Sequence, residues 1–270
     1  MRTAEDIENE LIAPARRVFE PLPSLVRFDG RTIVIGDLHG DLRAAKAAIE
    51  LFKSHGHDHL LFLGDYVDRS KECLPLLEVI LGAMVEDPAR VHLLRGNHET
   101  LWVNDKHGFR DELERRDLKV LHLKFNELFS QMPVAALIGG IVFAVHGGVP
   151  QEMPTLDQIK ALRKGIIEPD EGRDRVFLGL LWNDPKEGAL GFGHNDYRGY
   201  MRTFGLRVFK EFCDKNGIER FIRGHQRWPD GYRYFFEEKL LSVFSCASYS
   251  PNVRTKAAIV DGSNFKIVDL

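Results

Sequence analysis

Cysteine is scarce in this sequence: Cys73, Cys213 and Cys246 are the only three among 270 residues. Their odd number and wide spacing argue against a disulfide framework or a thiolate metal knuckle, and fit free thiols in a reducing compartment. Long apolar runs are missing too. The longest, 134–145, falls short of the roughly 20 residues that span a bilayer, and Gly139-Gly140 interrupts it as a hairpin turn signal. Residues 1–19 lack the continuous apolar core of a signal peptide. They instead carry Ile7, Leu11, Ala15 and Val18 at helical spacing. Nor is there a basic excess: 37 Lys and Arg stand against 40 Asp and Glu, a formal charge of −3, which argues against nucleic acid or an anionic membrane as partner. Repeats, low-complexity tracts and Pro/Ser linkers are absent, so residues 1–270 read as one domain, expected to be cytoplasmic.

What is present is an ordinary globular composition, 44% hydrophobic and 29% charged, enough to build a full core. Short β-branched and Leu-rich runs alternate with longer amphipathic stretches, the pattern of an α/β protein. The spacing predicts strands at 32–35, 59–63, 91–94, 134–138, 141–145 and 220–222. It predicts helices at 41–54, closed by Gly56, and at 76–86, closed before Pro88. After residue 232 the runs 232–236, 240–244, 257–260 and 265–268 follow one another without a helix, as antiparallel strands do.

One arrangement recurs along the chain. An apolar run ends in Gly or Arg-Gly, and a metal-capable side chain follows: Gly36-Asp37, Gly64-Asp65, Gly96-Asn97 and Gly224-His225, with Val145-His146 as a variant. A lone Asp or His at a strand end is usually a turn former. Five such ends, with His39 two residues after Asp37, point instead to a shared rim at the carboxyl ends of the strands. Asp37, His39, Asp65, Asn97, His146 and His225 mix carboxylate, amide and imidazole donors. That set suits Mn, Fe or Zn better than an all-oxygen Ca or Mg cage. Six ligands exceed what one catalytic ion with open positions needs, so two divalent ions sharing one Asp are expected, manganese first, with iron and zinc as alternatives. Nearby, Arg69 could grip two phosphate oxygens. His98, paired with Asp68, could protonate a leaving alkoxide while a metal-bridging hydroxide attacks phosphorus directly.

GDLHG at 36–40, GDYVDR at 64–69, GNHE at 96–99, HGG at 146–148 and RGH at 223–225 together resemble, in order and spacing, the signatures of the phosphoprotein phosphatase family, the calcineurin-like serine/threonine phosphatases. Less diagnostic agreement comes from LLWNDP at 180–185, TFG at 203–205 and DGY at 230–232. The resemblance implies a central β-sandwich of two mixed sheets flanked by helices, with a dinuclear site at strand ends. It implies that Asp37, His39 and Asp65 hold one metal and that Asp65, Asn97, His146 and His225 hold the other. Asp68 and His98 look like the acid pair, and Arg69, Arg198 and Asn97 like phosphate contacts, with Tyr249 overhanging from a loop. Phosphoprotein substrates are implied as partners; regulatory subunits are left open. Arg198 is counted back from Thr203-Phe204-Gly205, because NDYRG at 195–199 is one residue longer than the usual NDRG. Ser70 replaces a usual Gly, SCASY replaces SAPNY, and Ser250 replaces a common Cys, which leaves toxin sensitivity open. No autoinhibitory tail is expected after Leu270. Two rival readings remain: a dinucleoside polyphosphate or small phosphoester hydrolase on the same fold, and a non-catalytic phosphoprotein-binding protein. The complete ligand set speaks against the second.

Overall fold

The structure is a computed structural model, describing residues 2–54, 56–199, 201–248 and 252–270. Its strands, in chain order, are β1 (Leu25–Phe28), β2 (Thr32–Ile35), β3 (His59–Phe62), β4 (Val91–Leu93), β5 (Ala135–Ile138), β6 (Val142–Val145), β7 (Asp184–Pro185), β8 (Phe192–His194), β9 (Arg202–Phe204), β10 (Arg220–Arg223), β11 (Tyr232–Phe235), β12 (Leu240–Val243), β13 (Lys256–Asp261) and β14 (Asn264–Asp269). One sheet runs β1-β5-β6-β10-β12-β11 and a second runs β14-β13-β2-β3-β4. Both are mixed: β2, β3 and β4 are parallel while β13 joins β2 antiparallel, and β6, β10 and β12 are parallel while β5 joins β6, and β11 joins β12, antiparallel.

The two-residue period of each strand explains the layering. Val34, Leu61, Leu63, Ala144, Ile222 and Val243 face inward and fill the space between the sheets. Ile33, Ile35, Leu60 and Phe62 point outward from the second sheet, into a core with the helices Leu42–Ser54, Cys73–Glu86 and Leu121–Phe129. On the far side Phe143, Val145 and Phe221 pack with the helices Arg175–Trp182 and Leu206–Asn216. Strands buried on both faces read as unbroken apolar runs, which is why they stand out in the sequence. The result is the expected two-sheet sandwich flanked by helices.

Three parts differ from the sequence reading. β1, split by an exposed Arg27 and only four residues long, gives little periodic signal, yet it pairs in parallel with β5. A small three-stranded sheet, β7-β9-β8, is built from two- and three-residue strands that are too short to show alternation. The amino-terminal helix is interrupted at Glu8–Ile12 by a π-helical turn in which Ala13 N donates to Glu8 O. Pro14, which lacks an N–H and crowds the carbonyl four residues back, follows at once and gives the reason for the widened turn. No helix among the described residues is long and apolar enough to cross a membrane.

The sheets meet at one rim. Asp37 bridges Phe244 in parallel, Gly36 N donates to Ser245 Oγ at 2.9 Å, and Arg95 N donates to Pro133 O at 2.8 Å. A Cβ at Gly36 would lie 2.2 Å from Val243 O, so glycine is what lets β2 approach β12.

Candidate metal centre

The ends of β2, β3 and β4 deliver Asp37, Asp65 and Asn97 from one sheet, and those of β6 and β10 deliver His146 and His225 from the other. All five, with His39, are buried. His146 Nε2 lies 3.2 Å from Asp65 Oδ1, 2.9 Å from Asn97 Oδ1 and 3.1 Å from His225 Nδ1. That nitrogen carries at most one proton, so it cannot make a full hydrogen bond to both oxygens at once. Atoms converging in this way suit a cation, and the oxygen and imidazole donors fit a divalent transition metal. Ligand atoms of Asp65, His146 and His225 lie within 4.8 Å of one another, and so do those of His39, Asp65 and His98. Asp65 therefore belongs to both groups, in the position of a shared ligand. Asp37 borders them: its Oδ1 accepts from His225 N at 2.7 Å, and a Cβ at Gly224 would lie 2.6 Å from that oxygen.

Backbone conformation reflects the crowding. His39, Asp65, Asp68, Arg69 and His225 are five of the ten described non-glycine residues with positive φ, between 41° and 72° for these five. Such conformations cost about 1 kcal/mol or more each and persist where surrounding contacts hold them. One such contact is supplied by Glu99, which the sequence reading passed over. Its carboxylate accepts from Asp65 N at 2.8 Å, Tyr66 N at 2.8 Å and Gly96 N at 3.0 Å, stapling two ligand-bearing loops together. The fixed position of Glu99 at the end of GNHE was the available signal.

His98 Nδ1 lies 2.5 Å from Asp68 Oδ2, and Asp68 Oδ1 accepts from Phe109 N at 3.0 Å. Burial works against charging His98, but Asp65 and the Asp68 hydrogen bond outweigh it and raise its pKa above the ordinary value. The opposite holds for His39, which burial, with the nearby His98, lowers to about 4. Burial and the neighbouring Asp65 carboxylate raise Asp37 to about 6. For Asp65 burial alone would raise the carboxyl, yet His146 and His98 together pull it below its ordinary range. Glu99 is pushed up to about 7 by burial and Asp65. The protein thus concentrates negative charge that a cation would relieve.

Arg69 is exposed beside this cluster, its N–H donating to His107 O at 3.0 Å. Arg198 is anchored: its Nε donates to Asp184 Oδ2 at 2.6 Å and its Nη2 to His225 O at 3.4 Å. The other oxygen of Asp184 accepts from the buried Arg223 at 2.9 Å. Asp184, in LLWNDP, was likewise not singled out by the sequence, because one Asp in a two-residue strand carries no periodic or spacing signal. Tyr249 lies outside the described residues. The loop before it is held by Asp41, whose Oδ2 accepts from Ala247 N at 2.9 Å and Ser248 N at 3.0 Å.

Comparison with known proteins agrees with this geometry. A family model for calcineurin-like phosphoesterases matches residues 30–229. A solved structure of a protein serine/threonine phosphatase from Saccharomyces cerevisiae, with similarity to human phosphatase PP5, superposes with a TM-score of 0.88 at 26% identity, covering 99% of this chain and 89% of that one. A cold-active protein-tyrosine phosphatase of a psychrophilic Shewanella species shares the fold, with a TM-score of 0.64 at 18% identity over 93% of this chain and 81% of its own.

Proposed function

The chain belongs to the calcineurin-like phosphoesterase family, and from that membership we propose that it hydrolyses phosphoserine and phosphothreonine in other proteins. The observation carrying this reading is the Asp68–His98 pair, 2.5 Å apart at the edge of the buried ligand cluster. Serine and threonine alkoxides leave poorly and need a proton, which an imidazole held protonated can deliver. The 26% identity to a serine/threonine phosphatase across nearly the whole chain supports the same substrate class.

In this proposal Asp37, His39 and Asp65 hold one divalent ion, and Asp65, Asn97, His146 and His225 hold the second. Manganese is the proposed metal; iron and zinc suit the same donors. When bound, such ions lower the pKa of water and polarise a phosphoryl group. Arg69 and Arg198 grip the phosphate oxygens, with Asn97 beside them, and Tyr249 is proposed as a further phosphate contact. Asp68 accepts from His98 Nδ1 and so orients Nε2 toward the departing oxygen. His98 Nε2 gives up its proton as the P–O bond breaks, which leaves a neutral serine or threonine hydroxyl. Residues 1–270 act as one catalytic domain in this reading. A cytoplasmic setting is supported by three buried free cysteines.

The reading is tested by comparing kcat/KM on a phosphothreonine peptide and on diadenosine tetraphosphate. Preference for the peptide is the expected result. A higher specificity constant for the dinucleotide would reject a protein substrate.

A further inference from the structure

We propose that His107, which belongs to none of the site's motifs, contacts the polypeptide on the leaving-group side of the phosphoresidue. The inference rests on the serine/threonine phosphatase reading and deepens it, by naming a group that distinguishes a peptide from other phosphoesters.

Three contacts fix where His107 sits. Its ring meets that of His98 edge-on, with centroids 5.6 Å apart and planes at 75°. Its carbonyl accepts from Arg69 N at 3.0 Å, and two residues on, Phe109 N donates to Asp68 Oδ1 at 3.0 Å. The 107–109 segment is therefore fastened to the acid pair and to the arginine together. The third contact sets the chemistry of the ring: Nδ1 lies 2.7 Å from Val103 O. A carbonyl only accepts, so Nδ1 carries the proton, and Nε2 of the neutral ring is an acceptor. His107 is exposed, whereas His98 is buried.

The direction of the substrate follows from His98. With Nδ1 engaged by Asp68, only Nε2 can reach the departing oxygen. The phosphate lies over the buried ligands, so the carbon skeleton bonded to that oxygen must leave the cluster past His98. The exposed ring bordering His98 is that of His107. An outward-facing acceptor there matches the backbone or side-chain N–H groups of a peptide. Aryl and simple alkyl phosphates have no such donor to offer.

Three substrates separate this role from a merely structural one: a phosphothreonine heptapeptide, isopropyl phosphate as an alkyl ester whose leaving group carries no N–H or further O–H donor, and p-nitrophenyl phosphate. For both His107→Phe, which keeps a ring against His98, and His107→Ala, kcat/KM on the peptide is expected to fall about five- to tenfold, chiefly through KM, the loss of one hydrogen bond. Turnover of the two small esters should change less than about twofold. An equal fall on peptide and isopropyl phosphate would mean that His107 acts only by positioning His98, and would overturn the proposal. Unchanged kinetics on the peptide would overturn it as well. If the wild-type protein prefers diadenosine tetraphosphate to the peptide, the underlying function fails, an outcome distinct from either of these.

Discussion

His98 and Asp68 are where a single substitution is most informative. His98→Asn removes the proton donor while leaving the six proposed ligands in place. Turnover of alkyl phosphates is expected to fall about 10²- to 10⁴-fold, with a smaller loss on p-nitrophenyl phosphate, whose leaving group departs unprotonated. Steady-state kinetics on both substrates, with metal content measured alongside, checks this, and equal losses would remove His98 from the acid role. Residues of this kind were legible in the sequence because each follows a strand-terminating motif at fixed spacing. Glu99 and Asp184 were not. Their work is to accept from backbone N–H groups and from Arg223 and Arg198, and those partners lie up to 39 residues away along the chain.

Among the elements, close strand approach and an edge imidazole pair each give a stability prediction. Gly36→Ala would place a methyl 2.2 Å from Val243 O, forcing β2 away from β12. A loss of about 1–3 kcal/mol is expected in urea denaturation, with metal binding weakened because Asp37 moves with the strand end. His92, on β4, stacks on Phe28 with centroids 4.1 Å apart, and its Nε2 lies 3.1 Å from His59 Nδ1. Burial, with His59 adding to it, lowers His92 from 6.5 to about 4. Between those two values the unfolded chain takes up a proton that the folded chain refuses, so stability falls as pH drops through that window and is recovered above 6.5. His92→Phe should keep the ring packing and flatten this part of the profile by about 1–3 kcal/mol. Denaturation midpoints of both proteins between pH 7 and pH 4 give the comparison, and parallel profiles would refute it. β2, β3, β6 and β10 were readable because they are apolar on both faces. β1 escaped because the exposed Arg27 breaks its apolar run, and the β7-β9-β8 sheet because two or three residues cannot establish a period.

For the molecule as a whole, the ligands come from both sheets, so a bound cation must couple them. Ligand binding to the native state alone stabilises it by mass action, about 2.7 kcal/mol at a free concentration one hundred times Kd. Calorimetric scans with manganese and with chelator are therefore expected to differ in Tm by several degrees, and a Tm indifferent to both would count against a site spanning the sheets. The sequence by itself determined the αβ alternation, the identity of the ligand-type residues and their order along the chain. These are local facts, written in periodicity and in motif spacing. Only the tertiary structure decided that Glu99 staples the ligand-bearing loops, that Arg198 is tethered to Asp184, and that His107 borders His98. Each of these depends on how separate loops approach one another across the rim, a distance that packing sets and that no stretch of neighbouring residues encodes.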